Sequence, residues 1–370
     1  MNQQTPGPPP PFSYTFTPNV PELLQGLNSS VAITTYQTGK VVIFSAQDND
    51  RLVQLPRNFP RPMGMDVKEG KWALALHNEV LVTTNSPGLV ANYPPNPGVY
   101  DGLFVPRASH YTGPLDLHDL AWGKDDKLYA VNTLFSCISE FSYERSFEPI
   151  WQPHFISKLM PEDRCHLNGL ALMENQPKYV TALGKHDQSR GWKPKMLTEG
   201  ILMDVPTNEI IATDLPTPHS PRLYEDGLYM LMSATGEVVR MDPETGKYDV
   251  ITKLNGFLRG MDRVGDYLFV AMSKLRQHSS IFKEAPIARK SVVCGISIIY
   301  IPTGAQAGHI LYNTSVEELF EVKVLNGFRR PNILNVEKGV HAQSISTEEG
   351  SFWLSSPGKQ ASADKNQPSS

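Results

Sequence analysis

The strongest constraint on this chain is an internal repeat. Five segments, "RPMGMDVKEGKWALAL", "DLHDLAWGKDDKLYAVN", "CHLNGLALMENQPKYVTAL", "PHSPRLYEDGLYMLMS" and "LRGMDRVGDYLFVAMS", share one layout: a short apolar strand, a turn with Gly, Asp, Glu or Asn, and a second apolar strand. Each reads as a β-hairpin. Aligned, they place Met63, His118, Asn168, His219 and Arg259 at one position just ahead of the first strand, at intervals of 55, 50, 51 and 40 residues. Each interval suits one four-stranded sheet. A further echo, "KLNGFLRG" (Lys253–Gly260) repeated as "VLNGFRRP" (Val324–Pro331), makes Arg330 the expected sixth anchor. Near the N-terminus, "SVAITTYQTGKVVIFSAQDNDRLVQL" supplies three more strands.

One such sheet cannot bury both of its faces, whereas sheets stacked in a circle share a core and expose few edges. The expected fold is therefore all-β: a β-propeller whose ring is closed by N- and C-terminal strands. Six blades fit the anchors, and a seventh fits only if the termini do not share a blade. An open solenoid would need capping repeats, and the sequence has none. The propeller is expected to occupy residues 13–357 as one domain, between a Pro-rich arm (1–12) and a polar tail (358–370) whose compositions suit disorder. No convincing amphipathic helix is present; "SVEELFEVKVL" comes nearest, and its second half has β character. Two stretches, Thr84–Pro114 and Gly184–Gly200, exceed what a blade needs. They read either as tolerated surface insertions or as covers over a pocket.

Composition narrows the function. The 31 prolines and 27 glycines suit many turns, and a net charge of −4 without a basic stripe argues against nucleic acid as a partner. Cys137, Cys165 and Cys294 are widely spaced and form neither a disulfide framework nor a zinc pattern. No apolar run is long enough to span a membrane. The first residues lack the basic start and apolar run of a signal peptide, so the cytoplasm is the expected compartment.

In a propeller the innermost strands line an axial channel, so the anchors become neighbours at one mouth. His118, His166 and His219 could there bind a divalent transition metal through neutral imidazoles. Asp116, Asp119 and Asp163 would serve as further ligands or fix the ring tautomers. His166, two residues before Asn168, would share its side of an extended strand. Without metal, the same histidines are candidate acid and base, with Asp163 and Arg259 completing the catalytic set. Asn168, Arg222 and Trp192 are candidate substrate contacts, and Arg222 or Arg259 would suit an anion. The competing reading makes "HDLA" and "NGLA" clasps between blades, since buried polar groups must find partners. Cys165 reads as buried and inert, Ser220 lacks a nucleophile-elbow context, and no phosphate loop is present. Tyr129, Tyr179, Tyr229 and Phe269 recur in the second strand of each repeat and read as core.

"TTYQTGKVVIFS", "HDLAWG", "DRCHLNGLAL", "VTALGKHDQSRGW", "PHSPR" and "GFLRGMDRVGDYLFVAMSK" together resemble the words of a family of bacterial conserved hypothetical proteins with a domain of unknown function. They run in family order from about Ser30 to Arg276. That resemblance implies the propeller and no particular activity. At fold level alone the layout is also similar to metal-dependent lactonase and strictosidine-synthase-like propellers. The expected function is binding of a small polar metabolite in an axial, His-lined pocket, with metal-assisted hydrolysis, lyase chemistry or isomerisation as candidate reactions. The alternative is a non-catalytic platform for a protein partner.

Overall fold

In the computed structural model, which describes residues 9–275 and 284–354, each repeated hairpin forms the inner half of an antiparallel sheet. Turn chemistry explains the pairing. Glu69 and Gly70, and likewise Glu174 and Asn175, take positive φ between Lys68 and Lys71 and between Met173 and Gln176. Such two-residue turns match the right-handed twist of the flanking strands.

Six blades result. Blade 1 contains Ser29–Thr35, Lys40–Ala46 and Leu52–Asn58. Blade 2 runs from Met65–Lys68 to Gly102–Tyr111, and blade 3 from Leu117–Trp122 to Glu148–Trp151. Blade 4 runs from Leu167–Met173 to Glu209–Leu215, blade 5 from Pro218–Tyr224 to Tyr248–Lys253, and blade 6 from Phe257–Val264 to Ala305–Tyr312. The first strand of each of blades 2 to 6 is innermost. The innermost strand of blade 1 comes from the far end of the chain: Val322–Asn326 pairs with Ser29–Thr35, Val324 opposite Val31. A second closure lays Tyr14–Phe16 on the outer edge of blade 6. The inner strands pack against one another in ring order, and the molecule is a six-bladed β-propeller.

Two expectations need correction. Arg330 is not an anchor. The "LNGF" word precedes the inner strand in blade 6 but follows it in blade 1, so the echo is displaced by one strand. Arg330 instead leads into Pro331–Ile333, which pairs in parallel with the outermost strand of blade 2. The register-equivalent residue in blade 1 is Phe320. Thr84–Pro114 is not a cover over the axis: it contains a single helical turn, Pro87–Val90, and the outer strand Gly102–Tyr111. Its apolar residues Leu89, Val90, Tyr93, Leu103 and Val105 make a separate cluster with Leu334. The arm expected at 1–12 and the tail expected at 358–370 lie outside the described residues, apart from residues 9–12.

Apolar layers fill the blade junctions, as where Ala171 and Leu202 meet Leu228, Met230 and Val239. Tyr129, Tyr229 and Phe269 are fully buried, and Tyr179 nearly so. Polar clasps reinforce the junctions nearer the axis. Hydroxyls at the ends of second strands donate to the carbonyl leading into the next blade: Thr34 to Met63 (2.7 Å), Thr133 to Leu167 (2.5 Å), Ser233 to Leu258 (2.6 Å) and Ser273 to Leu319 (3.0 Å). Between blades 4 and 5 the Asn168 amide does this work, donating to the Pro218 carbonyl at 3.0 Å. Carboxylates on inner strands accept the neighbouring inner strand's amide: Asp66 from Trp122, Asp119 from Leu170 and Asp262 from Val324. Gly260 shows how close the inner strands come. It has φ +69°, and a Cβ there would lie 2.7 Å from the Glu321 Cα. Any side chain would force blades 6 and 1 apart.

Candidate functional site

The inner strands converge on a cavity of about 320 Å³ at one mouth of the channel. Two tiers of equivalent residues build its wall. The anchor tier is Met63, His118, His219, Arg259 and Phe320; the tier two residues earlier is Arg61, Asp116, His166, Thr217, Phe257 and Glu318. Only Asn168, the sixth anchor, is missing from the lining, because its amide is spent on the blade clasp and its carbonyl accepts from Thr181 at 2.7 Å.

The earlier tier was hidden by an assumption of extended backbone. Arg61, Asp116, His166 and Thr217 all adopt left-handed φ, at 47°, 57°, 53° and 57°. Non-glycine residues hold such conformations at a cost of about 1–3 kcal/mol each, and they concentrate at functional sites. The kink turns each chain inward just before its inner strand. It also sends His166 into the pocket while Asn168 goes to the junction, so the two do not share a side.

The three histidines are presented in one way. His118 Nδ1 contacts the Asp116 carbonyl (2.9 Å) and Thr133 Oγ1 (2.8 Å), whose own proton goes to Leu167. His219 Nδ1 contacts the Thr217 carbonyl (3.2 Å) and Ser233 Oγ (2.8 Å), whose proton goes to Leu258. His166 Nδ1 faces both oxygens of Asp163, at 3.0 and 3.1 Å. All these partners accept, so each Nδ1 carries a proton and each Nε2 is left to the cavity. The His118 and His166 rings meet edge to face with centroids 4.8 Å apart. His219 Nε2 is buried without a hydrogen-bond partner. Burial, reinforced by His166, lowers the His118 pKa to about 4, and burial with the nearby Arg259 charge holds His219 well below the usual imidazole range.

Across the pocket the Arg259 guanidinium lies between the Phe257 and Phe320 rings, 5.4 Å from each centroid. Lys274 and Tyr36 complete that side. Glu318 is buried there, and desolvation raises its pKa to about 7. Sequence reasoning missed Arg61, Glu318 and Lys274. The signal for the first two was the position two residues before each anchor, which for Glu318 becomes visible only when Phe320 replaces Arg330 in the alignment.

Trp192, from the Gly184–Gly200 stretch, covers His166 with a ring separation of 4.1 Å and donates its indole N–H to the Asp163 carbonyl at 2.9 Å. With Leu183 and Met196 it forms a small apolar lid over the pocket. Asp187 pins this stretch to the body through Arg164 (2.6 Å) and the Ser157 amide (2.9 Å). Arg222 does not line the pocket. It lies deeper along the axis, bound to both oxygens of Asp119 (2.8 and 3.2 Å) and to Glu321 (2.9 Å). Beside it Lys323 pairs with Asp66 at 2.9 Å, so the channel below the pocket is filled by an ion network. Cys165 is fully buried, and burial pushes its thiol up to about 12.

The donor chemistry of His118, His166 and His219 suits a transition metal, with neutral imidazoles whose second nitrogens are fixed by oxygens. Among the described residues, no three His, Cys, Asp or Glu side chains are grouped so as to hold an ion.

Among solved structures, a nidogen/laminin complex superposes with a TM-score of 0.52 at 8% identity, covering 81% of this chain and 99% of that one. A protein of unknown function from Bacteroides caccae gives 0.50 at 9% identity, covering 80% and 98%. A catalytically inactive virginiamycin B lyase from Staphylococcus aureus gives 0.40 at 12% identity, covering 81% and 99%. At these identities the likeness is one of fold. No curated protein matches the chain in sequence. Residues 18–334, spanning all six blades, match the family described as Domain of unknown function (DUF4915), and the chain belongs to that family.

Proposed function

We propose that the axial pocket binds a small polar metabolite and transfers a proton on it, in lyase or isomerase chemistry. His118 and His219 act as bases, His166 is oriented by Asp163, and Glu318 is the acid. The observation carrying this reading is the common presentation of three imidazoles, each with Nδ1–H fixed on an acceptor and Nε2 left to the cavity. A neutral imidazole abstracts a proton only in that form, and low pKa values keep His118 and His219 in it at neutral pH. Glu318, pushed up to about 7, still carries a proton in a large fraction of molecules there and can return one. A purely structural role would engage both ring nitrogens in blade contacts. Here the junctions consume Nδ1 alone, which favours a ligand site over a platform for a protein partner.

Saturation-transfer NMR on a library of small metabolites identifies a binder. Proton NMR of that compound in D2O should then show a C–H signal disappearing with the wild-type protein. Replacing His118 and His219 by Gln should slow the loss by about 10²–10⁴-fold. A compound that binds well but keeps every C–H signal would leave the pocket as a non-catalytic receptor.

A further inference from the structure

The two halves of the pocket are chemically unlike. Blades 3, 4 and 5 contribute His118, His166 and His219, and the neutral rings of His118 and His219 each offer an acceptor nitrogen. Two polar hydrogens nearby are already committed: the Thr217 hydroxyl goes to the Met196 carbonyl (2.8 Å), and the Trp192 indole N–H to the Asp163 carbonyl. A ligand edge that brings its own donors matches this arc. A ligand without them would leave His219 Nε2 buried and unsatisfied, at a cost of about 1–3 kcal/mol.

The opposite arc, on blades 6, 1 and 2, carries Arg259, Lys274 and Arg61. Asp116 lies 3.9 Å from Arg61, and Glu318 is only partly ionised near neutrality, so among the described lining residues cations outnumber anions, in a chain whose net charge is −4. A local positive potential in an acidic protein selects an anion. It also disfavours an ammonium as the donor-bearing group and favours neutral donors such as hydroxyls. The cavity, about 320 Å³, is at the lower end for ligand sites and suits one small molecule.

We infer that the ligand of this pocket is a small polyhydroxylated organic anion, its acid group on Arg259 and Lys274 and its hydroxyls donating to the Nε2 atoms of His118 and His219. The inference rests on the reading of the cavity as a metabolite site and specifies the class of compound.

Calorimetric titration with matched probes tests it. Gluconate, glucuronate and galacturonate represent sugar acids, and glucose 6-phosphate a sugar phosphate. Glucose keeps the hydroxyls without charge, adipate keeps the charge without hydroxyls, and glutamate replaces hydroxyl by ammonium. At least one sugar acid or the sugar phosphate should bind at least about tenfold more tightly than glucose, adipate and glutamate. Which of them binds tells carboxylate from phosphate. Arg259→Met or Lys274→Met should weaken the anion toward the level of glucose. His219→Leu should weaken it without changing adipate, and circular dichroism checks that each variant folds. Binding of none of the sugar anions, or equal binding of adipate, glutamate or glucose, overturns the inference. Sugar-anion binding with no hydrogen exchange in D2O leaves it standing and removes the acid–base reading; exchange on a neutral polyol does the reverse.

Discussion

His118 serves the junction and the pocket with one ring. Its Nδ1–H ties blade 3 through Thr133 to the carbonyl leading into blade 4, while its Nε2 looks onto the cavity. The sign of its pH dependence follows from the lowered pKa. Between about 4 and the ordinary 6.5, the unfolded chain binds a proton that the folded one refuses. Stability is therefore complete above 6.5 and is lost as pH falls toward 4, by about 3 kcal/mol over that window. In His118→Gln, urea titrations across this range should give a shallower slope; an unchanged slope would show that other groups set it. Arg222 belongs to a different class of residue. Its guanidinium is enclosed by Asp119 and Glu321, and removing it leaves buried carboxylates facing each other. Arg222→Met should cost about 3–5 kcal/mol in chemical unfolding. Arg259→Met should lower ligand affinity with a much smaller change in stability. The reverse ranking would make Arg222 the ligand-binding arginine.

At the scale of elements, the Gly184–Gly200 stretch acts through Trp192, which both stacks on His166 and bonds the backbone of Asp163. Trp192→Phe keeps the stack and loses only the hydrogen bond, so ligand affinity should fall by no more than about fivefold. Trp192→Ala removes the lid and frees the imidazole, and should weaken binding about tenfold or more. Equal affinities of the wild type and Trp192→Ala would show that the stretch covers nothing the ligand touches. The elements themselves were largely legible in the sequence. Period-two apolar runs broken by Glu-Gly and Glu-Asn turns define the hairpins, and their 40–55-residue spacing defines the ring. The convergence of His118 and His219 followed from that register, whereas His166 reaches the same mouth through its left-handed kink. What lay beyond reach was set by backbone conformation and by pairing between distant segments. Nothing in "RPMGM" announces the left-handed Arg61, and "LNGF" occurs on opposite sides of two inner strands. The outer strand Gly102–Tyr111 is preceded by so many turn residues that it read as part of a loop. Asn168 and Arg222 have the chemistry of ligand contacts, and only the positions of Pro218, Asp119 and Glu321 reveal their other partners.

For the whole molecule, the decisive contact is between the ends of the chain. Val322–Asn326 supplies the inner strand of blade 1, so that blade cannot be completed until nearly the entire polypeptide is present. The strand brings more than ladder hydrogen bonds. Val322 and Val324 enter the core shared by blades 1 and 6, the Val324 amide is held by Asp262, and Lys323 neutralises Asp66 on blade 2. A chain ending at Glu321 would leave Ser29–Thr35 as an open apolar edge and Asp66 as a partly buried charge without its cation, both unfavourable. It should unfold without a cooperative transition and associate through that edge, as read by calorimetry and size-exclusion chromatography. A chain ending at Ile333 retains the closing strand and the parallel strand on blade 2. It loses the hairpin Ser344–Trp353 and the contact of Trp353 with Leu89, and should melt cooperatively at a lower temperature. If both truncations lose cooperativity alike, stability resides in the outer C-terminal layer rather than in the ring. If the shorter chain melts as the full-length protein does, the blades hold together without closure, and the circular arrangement that brings the three imidazoles to one mouth must be sustained by the junction clasps alone.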